Sequence, residues 1–177
     1  MKTTIFNREI DAADRERWRQ ELALPLVDDR KSDWVTLFVF RVGAEWFGLD
    51  PMVLDLAEPM PKLHSLPHRG PVIAGVVNVR GTVSLCFSLE QVLSCLKGNV
   101  SPSPLMLVLS YQGWRVACKI EEAAGMVKFK KELLHPVPST LAASRQRHIH
   151  GLFDWKSHGV GWIDAALLFQ TFEEGAR

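Results

Sequence analysis

The chain carries no surplus charge of either sign. Its 177 residues hold 21 Lys and Arg against 20 Asp and Glu, a formal net charge of +1, so no global field draws in nucleic acid or an anionic membrane surface. Cysteine is scarce: Cys86, Cys95 and Cys118 are an odd count without the close pairing of a disulfide framework or a zinc site. Two of them sit in apolar, strand-like runs where a thiol packs as a small hydrophobe, which suits a reducing cytoplasm. Long hydrophobic runs are missing as well. Met1 to Glu9 has no apolar signal core, and no segment approaches the length of a membrane span. The expectation is a soluble, cytoplasmic protein with no nucleic-acid partner and no direct membrane insertion.

Chemistry-bearing motifs are equally thin. There is no nucleophile elbow, no phosphate-binding G-x-x-x-x-G-K-[ST] loop and no dinucleotide fingerprint. His148-x-His150 would share a strand face, but no acid or thiol stands at ligand spacing, and Pro67 interrupts His64 and His68. All four histidines read as surface loop residues. Cys86, between Leu85 and Phe87, reads as buried and unreactive. Glu121-Glu122 and Glu173-Glu174 are adjacent in sequence, so each pair diverges, and they read as solvated charge. Nothing supports an enzyme.

What the chain does hold is a weak copy of itself. Gly75 to Leu89 runs without a gap over Gly151 to Ala165. In each passage a glycine opens an apolar strand, which enters a polar turn (Asn78 and Arg80, or Asp154 and Lys156) and returns to a small polar residue, Ser88 or Asp164. A short helical stretch then follows. Upstream of each copy lies another hairpin, Val35 to Leu49 turning at Gly43-Ala44, and Leu105 to Ile120 turning at Gln112-Gly113. Two small β units on one plan are expected, with 47% hydrophobic residues and six Trp to fill their core. Residues 1–33 differ: Asp11 to Ala23 is charged and predicts a helix capped by Asp11, with Trp18 and Leu22 on one face and Pro25 ending it. Pro59, Pro61, Pro67 and Pro71 make residues 58–72 an extended link, Lys97 to Pro104 joins the halves, and a short helix is expected around Leu141 to Arg147.

In the turn Asn78-Val79-Arg80-Gly81, Asn and Gly are explained by hairpin geometry alone, because both tolerate positive φ. Arg80 is not required by a turn. A guanidinium on a rigid β scaffold is well placed to reach a partner's carboxylates or carbonyls, although an ordinary surface arginine fits the local residue types equally well.

The order of motifs resembles the CheW family of chemotaxis coupling proteins: F-x-F-x-x-G-x-E-x-F-G-L-D at Phe38 to Asp50, an extended stretch to Leu66-Pro67, then G-V-V-N-V-R-G at Gly75 to Gly81. The resemblance continues through Trp114 to Ala123 and Gly151 to Phe169. It implies a mainly β fold of two interlocked SH3-like five-stranded barrels on a shared core, here with short helices and an N-terminal helical extension at 1–33. The CheW-like domain would span 34–172, with pseudo-repeats at 34–96 and 104–172. It also implies a non-catalytic adaptor without cofactor or metal. Such an adaptor couples the regulatory domain of a CheA-type histidine kinase to the cytoplasmic tip of a chemoreceptor, at membrane-associated receptor arrays. The matched positions Asn78, Val79, Arg80 and Gly81 are the implied partner-binding residues, with Arg80 foremost. Trp46, Phe47, Leu49, Val76, Val83 and Leu85 are assigned to packing. Two departures stand out, since the family's acids are replaced by Leu56 and Ser88. They point to a specialised array, such as a Wsp-type surface-sensing pathway. The alternative is a divergent barrel module that has lost kinase coupling and binds another protein or a small ligand.

Overall fold

The computed structural model describes residues 33–177 apart from His68, Val100, Leu141 and Ala142. The helix expected at 11–23 lies outside the described residues. Ten strands follow in order: β1 (Trp34–Val42), β2 (Glu45–Leu49), β3 (Leu54–Pro59), β4 (Ile73–Val79), β5 (Thr82–Phe87), β6 (Leu105–Tyr111), β7 (Trp114–Ile120), β8 (Glu122–Lys130), β9 (Ile149–Trp155) and β10 (His158–Ile163). Among the described residues three α-helices accompany them, α1 (Leu89–Val92), α2 (Ala143–His148) and α3 (Ala165–Ala176). The hairpins form where apolar runs meet Gly-Ala, Arg-Gly, Gln-Gly and Lys-Ser turns.

The strands form two five-stranded sheets, ordered β8-β1-β2-β10-β9 and β3-β6-β7-β5-β4. Renaming β6 to β10 as a second copy of β1 to β5 makes the two orders identical. Each sheet takes its first two strands from one repeat and its last three from the other, so the halves are exchanged rather than side by side. The exchange is carried by β3 and β8, the strands after the first hairpin of each copy. It is sealed by two parallel pairings, β2 with β10 through Trp46↔Val160 to Gly48↔Trp162, and β5 with β7 through Cys86↔Ala117 and Phe87↔Cys118.

Each sheet also closes on itself. The chain beyond β3 pairs back onto β4 at His64↔Val76, and the chain beyond β8 pairs onto β9 at His135↔Leu152. Val76 and Leu152 are equivalent in the repeat. The glycine that opens each copy sits beside this closure. A Cβ at Gly75 would lie 2.3 Å from the His64 carbonyl oxygen, and one at Gly151 would lie 2.9 Å from that of His135. The repeated glycines are there because another backbone passes over them.

Closure explains the continuous apolar runs. In β1, Leu37 and Val39 point into their own barrel with Phe129, Phe153 and Val160, while Phe38 and Phe40 point out of it into a larger core. In β6, Met106 and Val108 fill the other barrel with Val77, Val79, Cys86 and Ala117, while Leu107 and Leu109 join that same larger core. Strands buried on both faces read as unbroken hydrophobic stretches. The shared core is completed by Leu89 and Val92 of α1 and by Leu168, Phe169 and Phe172 of α3, with Phe172 stacked on Phe87 at 4.5 Å between ring centroids. Both helices begin at the repeat's small polar residue. The Ser88 hydroxyl accepts from the Gln91 N–H at 3.4 Å, and an Asp164 carboxylate oxygen accepts from the Leu167 N–H at 3.1 Å.

Two sequence expectations need correction here. Val83 is 72% exposed and does not pack in the core, because it lies beyond the short stretch where β5 meets β7. Glu121 is not solvated charge. It is buried at the turn from β7 into β8, where one carboxylate oxygen accepts the Gly43 N–H at 2.8 Å and the other lies 3.8 Å from Lys119 Nζ. It thereby ties the β1–β2 turn of one sheet to the strand leaving the other. Its neighbour Glu122 is exposed and paired with Arg41 at 3.1 Å.

Candidate interaction surface

The β4–β5 hairpin pairs Asn78 with Val83 and Val79 with Thr82, leaving Arg80 and Gly81 as the two turn residues. Both have positive φ, 49° and 90°, which is the tight turn whose twist matches paired strands. The Asn78 side-chain oxygen accepts the Gly81 N–H at 2.7 Å and locks the turn. Val79 points inward and is 1% exposed, so its side chain anchors the tip to the barrel interior. Any contact it makes with a partner is through its backbone. Of the four expected site residues, Asn78, Arg80 and Gly81 are exposed.

Arg80 projects from this rigid tip, 71% exposed, with Nε 3.6 Å from a Glu58 carboxylate oxygen. Glu58 lies on β3, the opposite border of the same sheet, and reaches Arg80 because the barrel closes. Local sequence could not reveal that pairing, since β3 and β4 are separated by the proline-rich link. Leu56, on the same strand, is half-buried and packs against the barrel's interior cluster, an apolar use that a carboxylate would not fit.

Beside the tip, β5 and β7 are paired only where the C-terminal end of β5 meets the middle of β7. Their N-terminal ends splay apart and leave a cleft of about 360 Å³ lined by Thr82 to Leu85 and Gly113 to Val116. Val83 and Trp114 stand exposed on it, and Arg115 at its edge pairs with Asp55 at 3.0 Å. The pseudo-equivalent position, where β2 and β10 splay, holds a cleft of about 330 Å³ lined by Trp46, Phe47 and His158 among others. The hairpin tip above it turns through Lys156 and Ser157 at φ 46° and 66°, with the Lys156 ammonium 4.7 Å from the Trp155 ring centroid. The fold thus presents two corresponding tips with a cation on each.

The remaining chemistry is structural. His148 is buried at the end of α2 with Nε2 2.8 Å from the Thr171 hydroxyl, and so is not a surface loop residue; His150 Nε2 lies 3.4 Å from Asp164. Among the described residues no group of three His, Cys, Asp or Glu is placed to hold a metal ion. Burial pushes the Cys86 thiol up to about 11 and the Cys118 thiol well above its ordinary value, so neither is a ready nucleophile. No described helix is long and apolar enough to cross a membrane.

A family model described as CheW-like domain matches residues 36–173. The fold is shared with the scaffolding protein TtCheW from Thermoanaerobacter tengcongensis, with a TM-score of 0.64 and 16% sequence identity over 76% of this chain and 92% of that one. No curated protein sequence matches the chain.

Proposed function

Because the chain belongs to the CheW-like domain family, we propose that it is a non-catalytic adaptor of chemosensory signalling, binding the regulatory domain of a CheA-type histidine kinase and the cytoplasmic tip of a chemoreceptor. It would work in the cytoplasm at membrane-associated receptor arrays. The observation that carries this reading is the β4–β5 tip. A buried Val79 and the Asn78–Gly81 hydrogen bond fix the backbone from which Arg80 projects, so little loop ordering is left to oppose binding. The exposed Val83 and Trp114 beside it supply the apolar contact that such an anchor requires. Arg80's own partner is no obstacle, because an exposed ion pair is worth about 0–1 kcal/mol.

Signal would pass as a coupling free energy between receptor and kinase surfaces and not through a chemical step. The replacement of a family acid by Ser88 does not count against coupling, since that side chain caps α1, and serine and aspartate cap about equally well. The rival reading, a barrel that has kept the scaffold and binds a small ligand, calls for a deep apolar cavity with converging polar groups; the two clefts at the splayed strand ends are surface features instead.

Calorimetric titration with the regulatory domain of each CheA-type kinase of the host tests the proposal. Saturable binding to one of them, weakened about tenfold or more by Arg80→Glu, is expected. Absence of heat with all of them, from folded protein, would sink the kinase-coupling role.

A further inference from the structure

The cleft between the β6–β7 tip and α3 has a different character from the two at the parallel junctions. It measures about 280 Å³ and is lined by Tyr111, Gln112, Trp114, Phe169, Gln170 and Glu173, together with Ala166. Its aromatic side is continuous: Tyr111 lies against Phe169 at 5.4 Å between ring centroids, and Trp114 is exposed at the rim. Its polar side offers two amides and a carboxylate, and no cation lines it. Aromatic faces and a carboxylate converge on the same ligand class, a cation, with a planar guanidinium suited to both stacking and paired hydrogen bonds. Glu173 also lies in the last turn of α3, where the helix dipole favours positive charge. The chain itself shows that the carboxylate accepts this group, since Arg177 Nη2 donates to Glu173 Oε1 at 2.7 Å from a side chain that is 77% exposed.

We propose that this cleft takes an arginine side chain presented by a partner protein, with Glu173 and Trp114 as its binding residues and Arg177 as an internal competitor. The site shares Trp114 with the cleft beside the Arg80 tip but lies on its α3 side, where Phe169, Gln170 and Glu173 line it, and it stands whether or not the kinase is a partner.

The test is a nuclear magnetic resonance titration of the full isotope-labelled chain with acetyl-Gly-Arg-Gly-amide, with the same peptide carrying neutral citrulline, and with methylguanidinium. Saturable shifts at Tyr111, Trp114, Gln170 and Glu173 are expected for the arginine peptide, with citrulline weaker by about tenfold. Glu173→Gln, which keeps the shape and removes the charge, should weaken the arginine peptide about as much. Arg177→Ala should tighten it severalfold, and the unperturbed remainder of each spectrum shows that the variants are folded. Equal binding of the citrulline peptide, or no effect of either substitution, overturns the proposal. Methylguanidinium binding as tightly as the peptide overturns a protein-borne source.

Discussion

Two acidic residues of the same type, adjacent in the chain, meet opposite fates. Glu122 is exposed and Glu121 is buried against the Gly43 N–H. Removing the Glu121 acceptor leaves a buried donor unpaired, so Glu121→Ala should cost about 1–3 kcal/mol. Glu121→Gln, which keeps an acceptor, should cost less. Thermal melts read the difference at roughly 2–4 °C per kcal/mol for a chain of this size. The adjacency correctly implied divergent directions, but which glutamate faced inward was illegible, because it depends on where β7 turns into β8. Arg80 was legible as the residue its turn did not need, whereas its partner Glu58 was hidden by the barrel closure. The thiols behaved as their apolar flanks suggested. In the folded state Cys86 ionises near 11 instead of the ordinary 9.0. Unfolded chain therefore releases that proton first, and stability present below pH 9 should decline as pH rises toward 11. Under native conditions near neutrality, a thiol reagent should label half-buried Cys95 well before Cys86 and Cys118; equal rates for all three would show that the barrel interior around Cys86 and the shared core around Cys118 both open.

At the scale of elements, the two repeat hairpins use one backbone with unequal residues. The first tip places Arg80 and Gly81 at positive φ, while the second places Lys156 and Ser157 there, and neither of those has glycine's freedom in the left-handed region. Replacing Lys156-Ser157 by Asn-Gly should stabilise the protein by about 1 kcal/mol or more, seen as a higher melting temperature. An unchanged or lowered value would mean that the Lys156 contact with Trp155 outweighs the strain. Hairpin positions were readable because turn chemistry is local. The bridges at His64 and His135 were not. Each lies in a proline-bearing stretch that looks like a linker, and each is revealed only by the glycine it crosses.

At the scale of the whole molecule, the repeat announced two similar units, and the exchange of their strands came only from the family resemblance, because no pattern within one strand says which sheet it will join. Each sheet needs strands from both halves, so heat or denaturant should unfold residues 34–172 in one transition. Fragments 34–96 and 104–172 should each be unfolded alone and recover strand signal by circular dichroism when mixed. Independent folding of either fragment would contradict the interlock. The exchanged arrangement is also what a domain-swapped homodimer of a single repeat would look like, with residues 97–104 serving as a tether between its two subunits. In such a dimer, two-fold symmetry would force both tips to carry the same residues, and any change would appear twice. Joining the copies in one chain lifts that constraint. The first tip carries a locked Asn-x-Arg-Gly turn and the second a lysine resting on a tryptophan, so a scaffold that is symmetric in its architecture can offer unlike partners two different faces.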